Sequence, residues 1–309
     1  MAYAKGMLML VNKPSSLWFK LWSGSAGPVT VLVAALMVIW YVGAIYLNSP
    51  FLIDRYQKNN PEWTAAELVA DAWSMERPVL PAPHQIVIEM KETIWDRKVT
   101  SKRSLVYHAG VTMSSAMLGF VMGTLLGIFL AIGIVHVATL DRSLMPWIIA
   151  SQTIPILAIA PMIIVVLGAI GITGLFPKAI ISTYLCFFPV AVGMVKGLRS
   201  PNKMLLDLMR SYHASKAQIF WKLRLPASIP FLFTSLKIAI ALSLVGAIVA
   251  ELPTGAQAGL GSRLLSGSYY GQTSLIWAAL ITASVVSATL VAAVGRVERL
   301  TIKHMGLQA

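Results

Sequence analysis

The chain has 309 residues, 57% of them hydrophobic and only 12% charged, with a mean hydropathy of +0.74. Soluble domains carry about 25% charged residues, so the composition excludes a water-soluble globular protein and points to a polytopic membrane protein. The formal net charge of +13 raises nucleic-acid binding, which the placement of the charges along the chain argues against, and the lone Cys186 excludes an internal disulfide.

A membrane crossing needs about 20 apolar residues, at about 1.5 Å each, for roughly 30 Å of hydrocarbon. Six stretches qualify: 29–47, 111–137, 144–167, 179–198, 231–252 and 274–294. The first is long, has no small-residue cleavage site, and is expected to stay as a membrane helix. An all-α integral membrane protein follows, with residues 1–28 and 298–309 as cytoplasmic tails.

Residues 48–108 are expected outside. Asn60-Pro61 reads as an N-cap followed by proline at the first helical position. Trp63, Leu68, Val69, Trp73 and Met75 then alternate with acids in an amphipathic helix. Pro78, Pro81 and Pro83 end it, and Val87, Met90 and Ile94 mark a second helix. These helices lie on the bilayer surface or under a partner, with local packing the simpler role.

In the second span Ser115, Gly119, Gly123, Gly127 and Ala131 recur every four residues. A small-residue stripe of this kind lets another helix approach closely, and intramolecular packing is expected rather than a homodimer contact. The third span holds Pro146, Pro155 and Pro161 with Gln152 and Thr153 between them. Proline removes a backbone donor, so this helix should face protein or a pathway that satisfies the freed carbonyls. Gln152, Thr153 and Glu251, at the end of the fifth span, are the candidate pathway residues; an interfacial anchor is the equal alternative for Glu251. Lys237, two turns inside that span, is expected to be structural and to snorkel.

Residues 200–226 form a polar, basic, helical loop between the fourth and fifth spans. Ser200-Pro201 reads as the start of one helix. Ser215 with Gln218 is a capping box that starts a second. The chain must turn at His213, which is among the few residue types that tolerate a left-handed backbone. The second helix is expected to end near Leu225, because the residue before Pro226 avoids the helical region. Ala214, Ala217, Phe220 and Trp221 offer a small and aromatic face for docking into a groove. A surface-lying helix with no partner is the plainer alternative.

The basic residues concentrate in the N-terminal tail, in this loop (Lys196, Arg199, Lys203, Arg210, Lys216, Lys222 and Arg224 against Asp207) and at the C-terminus, whereas residues 48–108 hold eight basic and eight acidic residues. This is the positive-inside pattern, and topology with attraction to anionic membrane lipid accounts for much of it. No nucleic-acid partner is implied.

The loop resembles the cytoplasmic "EAA" loop of ABC importer permeases, whose pattern is E-A-A, three residues, G, nine residues, I-x-L-P. Asp207, Leu208 and Met209 stand in the E-A-A slots, His213 in the Gly slot, and Leu223, Leu225 and Pro226 in the I, L and P slots. Similarity extends over 80–297 and is that of the nitrate/sulfonate/taurine group. It is carried by LPAP at 80–83, IIASQTIPILAIAPMIIVVLG at 148–168 and GAIVAELPTGAQAGLG at 246–261. The last run, with GSYYGQT at 267–273, resembles members proposed to import riboflavin, thiamine precursors or other pyrimidines.

The resemblance implies six transmembrane helices with a type I ABC importer permease-like core at 109–297, in a multi-pass protein of the bacterial inner membrane. It implies as partners a separate ABC ATPase subunit, an extracytoplasmic solute-binding protein and a second permease, expected to be another copy of this chain. The solute would be small and polar or heterocyclic. The coupling residues it implies are Asp207, His213, Ala214, Ser215, Ala217, Phe220, Leu223, Leu225 and Pro226.

No G-x-x-x-x-G-K-[ST] run is present, so ATP hydrolysis is expected on the separate subunit. No HExxH spacing, metal-ligand cluster or G-x-S-x-G elbow occurs, and no catalytic residue, metal or cofactor is expected. Two other classes remain: an ion-coupled secondary transporter, which the scarcity of ionisable residues in the spans disfavours, and a non-transporting scaffold whose basic loop recruits a soluble partner.

Overall fold

The computed structural model describes residues 26–59, 62–253 and 258–306, and every regular element among them is a helix. The Asn60-Pro61 cap and most of the N-terminal tail fall outside the described residues. Among the described residues five helices are long and apolar enough to cross a membrane, and a sixth span is formed if one bent pair is counted. The chain divides into two compact units, residues up to Ile86 and residues from Val87.

In the first unit, α1 (Ala26–Asn59) does not stop at Asn48 but runs on through Pro50. Asn48 is wholly buried within it. Its amide donates to the carbonyls of Ala72 (3.0 Å) and Leu80 (3.1 Å), and its Oδ1 accepts from the N–H groups of Val79 (2.8 Å) and Leu80 (3.3 Å). An Asn so placed uses both its donors and its acceptor and ties the proline-rich return strand to the helix. The amphipathic α2 (Ala65–Ser74) is present, but its cap is Thr64, in a reciprocal capping box with Glu67. Trp40 donates to Pro81 and Trp73 to Tyr41.

The second predicted outer helix is α3 (Pro83–Lys91), continued by a π-helical turn, Glu92–Asp96. Its buried positions are Ile86 and Thr93, while Val87 is exposed, so its register is shifted from the predicted one.

The core of the second unit is built on α4 (Leu105–His136), α7 (Leu175–Leu198) and α10 (Leu225–Glu251). Helices α4 and α7 run parallel, locked by the predicted small-residue stripe. A Cβ at Gly119 would come within 2.3 Å of Ser182 Cβ, at Gly123 within 2.2 Å of Cys186 Sγ, and at Gly127 within 2.8 Å of Val190 Cβ. No side chain fits there, so backbone meets backbone, which is how helices pack in lipid without a hydrophobic drive. Helix α10 packs antiparallel to both, and Ser243 donates to the Ala116 carbonyl across the seam.

The third predicted span is two helices, α5 (Ala138–Ser151) and α6 (Ile156–Ala169), bent by 98°. Pro155 is the cause. It has no N–H for the carbonyl of Ser151, four residues back, and the Tyr184 hydroxyl of α7 takes that carbonyl instead. Pro146 and Pro161 lie inside the two helices without breaking them. The long α12 (Thr273–His304) completes the unit and meets α10 through an ion pair between Glu298 and Lys237.

Candidate functional site

Two places in the second unit gather the candidate residues, at opposite ends of α10. At the first end, α8 (Lys203–Ser211) and α9 (Lys216–Ile219) form the loop between α7 and α10. Helix α8 is capped by Asn202, whose side chain accepts from Met204 N–H (3.2 Å). Ser200 turns back to the Gly197 carbonyl instead (2.7 Å), so the cap predicted at Ser200-Pro201 lies two residues further on. The capping box of Ser215 and Gln218 is present in both directions, at 2.8 and 3.2 Å. His213 has φ 54°, the one left-handed non-glycine residue among those described, as the turn demanded.

Pro226 does not end the second helix. After α9 the chain widens into a π-helical turn, Phe220–Arg224, in which the Leu225 N–H bonds to the Phe220 carbonyl five residues back, and α10 follows without a break. The wider turn makes room for the proline ring, so Lys216–Glu251 forms one span. Phe220 points inward, contrary to the docking face drawn from the sequence. It stacks edge-on with His136 and packs with Leu225 against Ile134, Met194 and Leu198. The side chains left outward are Met204, Leu205, Leu208, Tyr212 (80% exposed) and Trp221 (65%), with Ala217 beside them. Asp207 is exposed and pairs with Arg210 at 3.2 Å.

At the other end of α10, Glu251 is fully buried. Thr112 of α4 donates to its carboxylate (2.8 and 3.1 Å), Gly261 N–H donates at 2.9 Å, and Lys178 of α7 lies 3.4 Å away. Thr112 in turn accepts from Leu260 N–H (2.8 Å), and Lys178 donates to the Ala258 carbonyl (2.9 Å). Gly259 N–H donates to Nδ1 of His108, which leaves Nε2 to donate to the Lys102 carbonyl, both at 2.9 Å. Gly259 has φ +129°, and a Cβ there would sit 2.0 Å from the Glu251 carboxyl carbon, so only glycine fits. These bonds pin the start of α11 (Leu260–Tyr269) to three spanning helices.

Beside this network lies a cavity of about 700 Å³, lined by residues of α4, α6, α7 and α10, among them Tyr107, Ser114, Ile164 and Lys178, and by Pro253 and Ala258. At the same end Arg263 donates to the Arg103 carbonyl (3.1 Å). Burial pushes the Glu89 carboxyl above its usual range; neighbouring Glu92 adds to this and Arg263 opposes it.

Gln152 and Thr153 sit on the α5–α6 bend, bonded locally to Ser151 (3.2 Å) and Ala150 (2.7 Å). The structure brings neither to Glu251 nor to the cavity wall. Thr112, Lys178, His108 and Asn48 were not singled out in the sequence. Lys178 lies one residue before the span drawn from the sequence, and the structure places it inside α7.

Residues 123–305 match the family described as binding-protein-dependent transport system inner membrane component. The chain is 30% identical over 233 residues to a formylaminopyrimidine transport permease protein of Halalkalibacterium halodurans, covering 75% of this chain and 77% of that one. It is 30% identical over 196 residues to a riboflavin transport system permease protein of Chloroflexus aurantiacus, covering 63% and 71%. It is 27% identical over 226 residues to a taurine transport system permease protein of Escherichia coli, covering 73% and 78%.

Proposed function

The chain belongs to the family of binding-protein-dependent transport system inner membrane components, and from that premise we propose that it forms the translocation pathway of an ATP-driven importer for a small polar or heterocyclic solute. A separate ATPase subunit docks on the loop at residues 200–226 at the cytoplasmic face. A binding protein delivers the solute on the other side, and a second copy of the chain completes the pathway in the lipid of the inner membrane.

The observation that supports this reading is the build of the loop. Two capped helices and the π turn after them expose several large apolar side chains, Met204, Leu205, Leu208, Tyr212 and Trp221. The second of them runs without a break into a spanning helix that ends on the Glu251 network and beside the cavity. Exposed apolar patches of this kind mark partner sites. A displacement of α9 by the ATPase would be carried along one rigid helix to the far end of the bundle, because a continuous helix does not absorb it in a loop. Ala217 and Trp221 are then docking residues, and Phe220, Leu223, Leu225 and Pro226 transmit. His213, Ala214 and Ser215 shape the turn, and Asp207 lies on its exposed flank. Gln152, Thr153 and Glu251 act at the hinges of the pathway, with Glu251 positioning the α10–α11 connection.

Proteoliposomes holding the chain and the ATPase, with ATP enclosed and the binding protein outside, test this reading. Uptake should require ATP and all three components. Uptake driven by an ion gradient without ATP would favour a secondary transporter. A stable assembly that moves no solute would favour a scaffold.

A further inference from the structure

Resting on the reading of the chain as a solute permease, we infer that the cavity beside Lys178 is a solute subsite for an uncharged, ring-containing molecule and rejects sulfonates and other small anions. The charge on its wall carries the argument. Lys178 is the one ionisable side chain with a formal charge at neutral pH among the lining residues described. Its ammonium is already committed to the buried Glu251 carboxylate at 3.4 Å and to the Ala258 carbonyl at 2.9 Å. The pair is neutral as seen from the cavity.

An anion entering there would have to draw Lys178 off a fully buried carboxylate, and a buried charge that loses its partner is strongly destabilised. It would also approach that carboxylate. The rest of the wall suits a neutral ring. Tyr107, Ile164, Ile172 and Ala250 supply aromatic and aliphatic surface, and the Ser114 and Thr173 hydroxyls supply hydrogen bonds. A volume of about 700 Å³ lies within the range of pockets that enclose ring-sized ligands, about 300–1,000 Å³.

The test uses the full chain in lipid nanodiscs carrying Ser114→Cys. Ser114 is exposed on the cavity wall, whereas Cys186 is fully buried, so the parent chain serves as the unreactive control. The rate of reaction with N-ethylmaleimide is measured with riboflavin, a neutral aminopyrimidine, methanesulfonate or taurine present. Occupancy slows labelling by 1 + [L]/Kd, so a neutral ring at about three times its Kd should slow it roughly fourfold. Methanesulfonate and taurine should leave the rate unchanged.

The inference is overturned if a sulfonate protects and the neutral rings do not, or if nothing protects up to the solubility limit. The paired variant Lys178→Met with Glu251→Gln removes both charges together. Where it folds, protection by the neutral ring should survive; its loss would make the lysine charge a ligand and contradict the inference. The Ser114→Cys measurement on the native pair decides the matter without that variant. ATP-dependent uptake of a sulfonate that also protects the introduced thiol would sink this subsite and leave the permease reading standing. Absence of ATP-dependent uptake of any solute would instead tell against the permease reading.

Discussion

The two ends of α10 are opposites. At the Glu251 end every polar group of the network finds its partner within the chain, and even a methyl group is excluded at Gly259 and Gly261. At the Phe220 end the helix is wound as a π turn, and large apolar side chains of the loop stand in the open. One end is satisfied within the chain; the other leaves large apolar side chains exposed. One continuous helical span, Lys216–Glu251, joins them.

The largest effect should come from the closed end. Replacing Glu251 with Leu leaves Lys178 without its counter-charge and the Gly261 N–H without an acceptor, which should cost about 3–5 kcal/mol. Thermal unfolding of the full chain in detergent reads this directly. The contrasting carboxylate at the open end is Asp207, exposed and paired only with Arg210; Asp207→Asn should change stability by less than about 1 kcal/mol. Equal losses would erase the contrast.

Next comes the seam that supports the closed end. Gly123→Leu forces a side chain where a Cβ alone would lie 2.2 Å from Cys186 Sγ. Overpacking of this kind should cost about 1–3 kcal/mol, and more if the backbones of α4 and α7 cannot part. A denaturation midpoint unchanged from the parent would show that the helices are not in contact there.

A comparable loss is expected at the open end only where the backbone is constrained. His213→Val places a β-branched residue at φ 54°, and the left-handed conformation costs such a residue about 1–2 kcal/mol. His213→Gly should be neutral or slightly stabilising. Circular dichroism melting of the pair should order them in that way.

The smallest effect is a pH dependence outside the spans. Burial raises the folded pKa of Glu89, so the protonated form is favoured by folding. The stability that this group contributes is therefore full below its unfolded pKa and is lost as pH rises through the raised folded value. Glu89→Gln should flatten the stability profile just above the ordinary carboxylate range. A steeper profile in the variant would reverse the sign of this assignment.

Local rules reached much of this molecule from its sequence. The stripe from Ser115 to Ala131, the Ser215 capping box and the left-handed turn at His213 each depend on neighbours within a few residues, and the structure has all three. Proline was harder to read. Pro155 bends the chain because Tyr184 offers a replacement donor, whereas Pro226 is absorbed by a π turn that no short pattern announces. The Glu251 network was illegible because Thr112 and Lys178 lie 139 and 73 residues from Glu251 and meet it only through helix packing. Phe220 was assigned to the docking face with Ala214, Ala217 and Trp221; it packs against the core cluster of Ile134 and Met194 at the start of the π turn. Asn48 looked like the end of a span because it is polar, yet it lies inside α1 and its side chain bonds to residues 72, 79 and 80.

The most direct measurement of the coupling account is ATPase retention by Ala217→Glu, set beside uptake and membrane expression. Ala217 is exposed on α9, and a glutamate there would be buried without a partner once the ATPase docks. Membrane expression should match the parent, whereas copurified ATPase should fall at least roughly tenfold, about 1.4 kcal/mol in affinity, and uptake should fall with it. Lys216→Glu, on the more solvated side, should be milder. Parental levels of both ATPase retention and uptake in Ala217→Glu would contradict the account.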